Sequence, residues 1–180
     1  MLWTQRRTVG RAVLTLLLAV FLATPSFAQS YGQFEEELKR PTLRGLPGVF
    51  LLLNMPRLVV GSPQRDRIVA EVELVLRSAG VKLYSTEELQ KDPRVPKLLI
   101  SFSTTDPVPS TDTIGWGLAV ELSQGVMLDR DPRIYTSAVT WKVAGSFGFG
   151  PMDSILATVR EEVVTSAKRF ANAYLAANAN

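Results

Sequence analysis

The residue types that this chain lacks limit its chemistry more than any motif it contains. The 180 residues include neither histidine nor cysteine. Ser-His-Asp catalysis, Cys-His catalysis and zinc sites built on imidazole or thiolate all need one of these side chains. Haem held by either ligand is excluded for the same reason. Only carboxylate, lysine, tyrosine or serine–lysine chemistry remains, and we assign no catalytic residue, no cofactor and no metal ligand.

One pair of carboxylates is spaced closely enough to act together. Asp129 and Asp131 flank Arg130, and Pro132 follows them. Such a pair could bind calcium or serve as acid and base. The segment lacks the Asp/Asn/Gly series of a calcium loop, and Arg130 would neutralise the pair. Aspartate is common in turns because its side chain bonds the local backbone, so the pattern favours a turn. A carboxylate-dependent hydrolase acting on glycan stays as an alternative.

A glycine-rich segment, residues 145–150 (GSFGFG), is predicted to be a loop between a strand and the last helix. Phosphate-binding loops occupy that position, but this spacing fits neither the phosphate-loop nor the dinucleotide template. Phe147 and Phe149 are unusual in a loop. They either fold back onto the sheet, which the usual burial of large aromatics favours, or form an apolar lip that contacts a partner.

Two tryptophans lie in the alternating apolar patterns of neighbouring predicted strands. Cross-strand packing in the core is the default interpretation of Trp116 and Trp141. The alternative is a small-ligand carrier with a pocket between the sheet and the C-terminal helix, lined by these two rings. The candidate contacts for a partner or ligand are therefore Phe147, Phe149, Trp116 and Trp141.

The first 28 residues have the layout of a secretory signal peptide. Three arginines precede the apolar residues 12–23, and small residues at Ser26 and Ala28 fit a cleavage site after Ala28. The apolar stretch would make a helix of about 18 Å, which is short of the roughly 30 Å hydrocarbon core of a membrane. We therefore expect a cleaved leader, no stable membrane span after its removal, and a protein that works in the periplasm or the medium of a bacterium.

The charge balance argues against nucleic acid as a partner. The leader contains three of the 20 basic residues and none of the 17 acidic ones. After cleavage, 20 − 3 = 17 basic residues would face 17 acidic residues, and the net charge would be zero. A nucleic-acid-binding surface needs a surplus of lysine and arginine to displace counterions.

The apolar periodicity predicts a single α/β (α+β) domain over residues 49–176. Residues 29–48 are predicted to be a linker and residues 177–180 a frayed tail. Within the domain we expect one mixed β-sheet with two main helices packed on one face, and a long antiparallel hairpin near the C-terminus. The predicted strands are 49–53, 81–84, 97–103, 114–128 and 134–143, and the predicted helices are 63–79, 86–91 and about 155–174.

Residues 69–85 (VAEVELVLRSAGVKLYS) resemble the helix–strand segment of the N-terminal domain of the TolB family. Similar segments occur in the periplasmic lipoprotein activators of penicillin-binding proteins and in the curli-secretion lipoprotein. The order of the following elements is also similar, so the resemblance spans about residues 49–174. Residues 170–178 (FANAYLAAN) and the pair Thr140-Trp141 resemble secreted bacterial proteins. The resemblance implies a periplasmic module without catalysis that binds an envelope protein or a cell-wall component.

Overall fold

The computed structural model describes residues 38–57, 59–60, 62–107 and 111–179, all within one unit that spans residues 35–180. The predicted signal peptide and most of the predicted linker lie outside the described residues. The sheet contains β1 (Phe50–Asn54), β2 (Lys97–Thr104), β3 (Thr113–Leu128) and β4 (Asp131–Pro151), in the spatial order β1-β2-β3-β4. β1 is parallel to β2, and the other pairs are antiparallel. The predicted mixed sheet and C-terminal hairpin are therefore confirmed.

Three α-helices accompany the sheet among the described residues: α1 (Pro63–Ser78), α2 (Thr86–Lys91) and α3 (Ile155–Asn178). α1 packs on α3, and α3 packs on β2, β3 and β4. Each long helix buries one apolar stripe, which includes Ile68, Val72 and Leu76 on α1 and Val159, Val163 and Phe170 on α3. No helix in the described ranges is long and apolar enough to cross a membrane.

Local sequence signals set the bounds of the first two helices. Pro63 opens α1 at a position where its missing N–H costs nothing. Gly80 follows the helix with φ of 78°, a conformation that glycine adopts without strain. Ser85 and Glu88 form a capping box at the start of α2, since the Ser85 side chain accepts from the Glu88 N–H and the Glu88 side chain accepts from the Ser85 N–H.

Long-range contacts extend the domain beyond the limits expected from sequence. A 3₁₀ turn (Arg40–Leu43) lies in the predicted linker, yet Leu43 and Leu46 are buried in the core. Asn178 lies in the predicted tail, yet its side chain accepts from the Gly45 N–H and donates to the Leu43 carbonyl. These contacts keep α3 helical to Asn178 and join the two ends of the described chain.

One predicted strand differs from the structure. The predicted strand 81–84 contributes only an isolated bridge between Val49 and Leu83. Along the hairpin, β3 pairs with β4 at Gly125, and the register shifts at three other places. A β-carbon on Gly125 would overlap the Tyr135 hydroxyl, so the tyrosine side chain occupies the space above the glycine.

Candidate functional site: the edge strand and the open face

The two faces of the sheet have different environments. On β2 the residues Leu98, Ile100 and Phe102 are buried on the face that carries the helices. The residues between them lie on the opposite face, which we call the open face. Several side chains on it remain exposed although they are apolar. They are Leu52 of β1, Ala119 of β3, and Val139, Phe147 and Phe149 of β4.

Phe147 and Phe149 lie in a strand and not in a loop. β4 continues to Pro151, with Phe147 opposite Gly117 and Phe149 opposite Gly115 on β3. The expectation that these rings fold back into the core is wrong, because their side chains point to the open face and are 82% and 74% exposed. Of the two interpretations drawn from the sequence, only the exposed apolar lip agrees with this burial. We call Phe147, Gly148 and Phe149 the Phe-Gly-Phe segment.

Glycine and aromatic residues alternate across this end of the hairpin. A β-carbon on Gly148 would lie 2.6 Å from Trp116 Cζ2, and one on Gly115 would lie 3.1 Å from Phe149 Cε1. Each glycine therefore leaves room for an aromatic ring from the neighbouring strand, an arrangement in which the ring shields the bare backbone. The glycines that suggested a loop are the residues that let the strands pair closely.

The Phe-Gly-Phe segment also lies on the edge of the sheet. Within the described ranges β4 pairs with β3 on one side only, and β1 occupies the other end of the strand order. An edge strand presents unpaired N–H and C=O groups, and natural proteins usually protect such edges with charges, proline or a covering element. Residues 145–150 carry no charged side chain and no proline. This end of β4 therefore combines an open backbone edge with two exposed phenylalanines.

The two tryptophans pack within the domain and are not cross-strand neighbours. Trp141 is fully buried and meets Phe170 of α3 edge-on, with ring centroids 5.2 Å apart. Trp116 is partly buried and stacks on Phe102 with centroids 5.4 Å apart. Trp141 and Phe170 are therefore in direct contact between the sheet and α3, where the carrier hypothesis placed a ligand. Trp141 is inaccessible to a partner, so its assignment as a contact is wrong. Trp116 packs against Gly148 of the open edge, on the face of the sheet that carries the helices.

One of the two carboxylates of the hairpin turn is engaged in local contacts. Asp131 accepts from the Arg133 side chain at 3.0 Å and from the Arg133 backbone N–H at 3.1 Å. The hydrogen bond from the Arg133 guanidinium holds the pKa of the Asp131 carboxyl below its ordinary value. Such a group stays ionised and is unsuited to donate a proton near neutral pH. Asp129 is exposed in the same turn.

A charged pair on the surface joins the two long helices. Arg160 of α3 donates to both oxygens of Glu71 on α1, at 3.0 and 3.1 Å from Nε. This hydrogen bond raises the pKa of Arg160. A polar groove beside the pair is lined by Gln64, Arg67 and Asp153, and its charges have mixed signs. In the described part of the chain no group of three acidic side chains could hold a metal ion.

Sequence reasoning named the two phenylalanines but missed the free edge that carries them. A signal was present, because Phe147 and Phe149 are spaced two residues apart, as in a strand with one face covered. The interleaved glycines indicated a turn more strongly than this short alternation indicated a strand. A bulge in β4 opposite Ala119 also inserts one extra residue into the alternation. Trp141 and Val143 before it therefore face the helices, whereas Phe147 and Phe149 after it face the open side.

Comparison with known proteins does not assign this chain to a family. No protein-family model matches it, and no curated protein is similar to it. Among solved structures it is similar to a PelC variant from Paraburkholderia phytofirmans that was solved as a dodecamer. The identity is 14%, the match covers 73% of this chain and 92% of that chain, and the TM-score is 0.37. A similarity at this level carries no argument about the function of this chain.

Proposed function

We propose that this protein is a non-catalytic binding module that works in the periplasm or outside a bacterial cell and contacts an envelope protein. The contact surface is the Phe-Gly-Phe segment on the open face of β4. One observation carries the proposal: two phenylalanines, 82% and 74% exposed, lie side by side on an uncharged sheet edge. Exposed aromatic residues of this kind are typical anchors of protein interfaces.

The environment of the segment supports binding more than a role in folding. The rings contribute little to the core, because most of each side chain is in contact with solvent. They stand on a rigid support, since Trp116 packs between the backbone of Gly148 and the ring of Phe102. A contact surface held on a strand loses little conformational entropy when a partner binds. The predicted leader and the resemblance to periplasmic modules support the location.

Site-specific photo-crosslinking in cells tests the proposal. A photoreactive phenylalanine analogue at Phe147 is compared with the same analogue at Met127, which is 67% exposed on the same hairpin but near its other end. We expect a discrete adduct with an envelope protein from position 147 and not from position 127. Excess unlabelled protein should compete for this adduct, and Phe149→Ser should reduce it about tenfold or more.

Two controls make the experiment decisive. Phe149→Ser should leave the free energy of unfolding within about 0.5 kcal/mol of the parent, because the ring is mostly exposed. Val139→Ser on the same strand and face should leave the adduct unchanged. Identical adducts from positions 127 and 147, or no adduct from position 147, would contradict the proposed contact surface.

A further inference from the structure

We propose that the free edge of β4 pairs with the same edge of a second copy, antiparallel and centred on Gly148. The inference rests on the proposed function, because both assign binding to the Phe-Gly-Phe segment, and it names one partner of that segment. It follows from three features of β4: the direction of its backbone groups, the symmetry of its side chains and the absence of charge.

The backbone direction follows from the contacts of Gly115. The Thr105 N–H donates to the Gly115 carbonyl at 2.8 Å, and the Gly115 N–H donates to Thr105 Oγ1 at 3.0 Å. Both groups of Gly115 therefore point toward β2 and away from β4. Opposite residues in an antiparallel ladder alternate between hydrogen-bonded and non-hydrogen-bonded pairs, so the pair of Gly115 with Phe149 is of the second kind. The N–H and C=O of Phe149 point away from β3, toward the free edge.

The same direction holds for Phe147, which is two residues away in an unbroken register. Gly148 has the opposite direction and bonds to β3. When two such edges meet antiparallel around Gly148, Phe147 lies opposite Phe149 of the second copy, and Phe149 lies opposite Phe147. All four residues offer outward backbone groups, so each opposed pair can exchange both of its N–H···O bonds.

The side chains fit this self-pairing because the segment reads almost the same in both directions about Gly148. Each phenylalanine faces a phenylalanine of the other copy, and glycine faces glycine at the centre. Ser146 lies opposite Gly150 at the two ends. Cross-strand aromatic pairs stabilise antiparallel strands by about 0.2–1 kcal/mol relative to alanine pairs. The two-fold axis is perpendicular to the sheet, so all four rings remain on one continuous open face.

The distribution of charged side chains along β4 favours Gly148 over other residues of the strand as the centre of pairing. Residues 145–151 carry no charged side chain, so pairing about Gly148 opposes no like charges. Pairing centred on Lys142 would place two ammonium groups opposite each other, which destabilises a strand pair. Pro151 ends the strand and limits the paired stretch to residues 146–150.

The short paired stretch sets the strength of the contact. Four phenylalanine rings would bury at most about 1,000 Å² even if they were completely covered. Stable interfaces bury roughly 1,200–2,000 Å², so the dimer is a weak, concentration-dependent species. The pairing would produce a sheet of eight strands, four from each copy, whose open face carries a cluster of four rings that remain available to an envelope partner.

Disulfide trapping tests the pairing, since the chain has no cysteine of its own. Phe147→Cys and Phe149→Cys are made as separate proteins and oxidised singly and as an equal mixture. In a mixed pair the two thiols lie directly opposite, about 5.5 Å apart at Cα, which is compatible with a disulfide. The remaining Phe149 and Phe147 still face each other. In either protein alone the thiols are diagonal neighbours about 7–8 Å apart, too far for the bond.

We expect the covalent dimer to form at least about tenfold faster in the mixture than in either protein alone. Only the mixed pair places two thiols at a Cα separation that a disulfide can span. Equal rates in all three samples, or no dimer in the mixture, would overturn the pairing about Gly148. Circular dichroism of each cysteine variant confirms folding, which exposed positions should preserve.

If the mixture gives no dimer while position 147 still crosslinks to an envelope protein, the self-pairing fails and the proposed function stands. If the dimer forms and position 147 crosslinks only to a second copy, the self-pairing stands and the envelope partner fails.

Discussion

The indole ring of Trp116 occupies the place where a side chain on Gly148 would stand. A β-carbon at Gly148 would come within 2.6 to 2.9 Å of three atoms of the ring. Trp116 in turn stacks on Phe102, which is buried, so the ring has little freedom to move aside. This contact couples the exposed end of β4 to the core and explains why the segment can be both open on its edge and firmly placed.

Gly148→Ala should therefore destabilise the protein by about 1–3 kcal/mol, because overpacking displaces an aromatic ring that is held on its other side. Gly150→Ala is the matched control, since the nearest atom to its β-carbon is 3.9 Å away. Urea unfolding followed by tryptophan fluorescence measures both variants. Equal free energies of unfolding for the two variants would show that the Trp116 ring is not fixed over Gly148.

Substitutions of Trp141 should affect stability in a different way from Gly148→Ala. Its ring is completely buried against Phe170, so Trp141→Ala should cost about 3–5 kcal/mol. The indole Nε1 has no hydrogen-bond partner within the described structure, and an unsatisfied buried donor costs about 1–3 kcal/mol. Trp141→Phe removes this donor together with part of the ring, and we expect it to remain within about 1 kcal/mol of the parent. A loss in Trp141→Phe as large as in Trp141→Ala would mean that the indole N–H has a partner.

The features that sequence predicted well depend on residues close together in the chain. Ser85 and Glu88 are three residues apart, and the box they form fixes the start of α2 whatever the rest of the domain does. Pro63 and Gly80 mark the limits of α1 in the same local way. The C-terminal hairpin followed from the regular alternation around Trp116 and Val120, which needs no knowledge of distant residues.

The features that sequence missed depend on distant partners. The contact between Asn178 and Leu43 joins residues separated by 135 positions, and no local pattern distinguishes that asparagine from others in the tail. The exposure of Phe147 and Phe149 depends on which element lies beside β4, and this is a property of the strand order. Sequence therefore predicted which phenylalanines form the candidate site, but it did not predict that they lie on an edge strand.

Asn178 should contribute to stability although it lies in the last turn of α3. Its side chain bonds the backbone of Gly45, Leu43 and Tyr174, at 2.8, 3.0 and 2.9 Å. Asn178→Ala leaves these groups without their partner, and we expect a loss of about 1–3 kcal/mol in the free energy of unfolding. Asn172→Ala, an exposed position on the same helix, should change it by no more than about 0.5 kcal/mol. If the tail frays in solution, the two variants will be equally stable.

The hydrogen bonds at the start of α2 should make the free energy of unfolding depend on pH, both in acid and in alkali. Glu88 accepts hydrogen bonds from Lys82 Nζ and from the Ser85 N–H, each at 2.8 Å. The bond from Lys82, followed by that from the backbone, lowers the pKa of Glu88 below its ordinary value of 4.5. The same bond raises the pKa of Lys82 above its ordinary value of 10.5.

These directions fix the sign of the effect. Glu88 stabilises the folded state fully above pH 4.5, and this contribution is lost as the pH falls through its lowered folded-state pKa. Lys82 stabilises below pH 10.5 and loses its contribution as the pH rises through its raised folded-state pKa. The urea midpoint of Glu88→Gln should therefore lie below that of the parent at pH 7, and the difference should narrow as the pH falls below 4.5. Glu161→Gln, which removes an exposed carboxylate from α3, controls for the change in net charge. A difference between Glu88→Gln and the parent that does not narrow below pH 4.5 would show that the charged form of Glu88 is not what stabilises the turn.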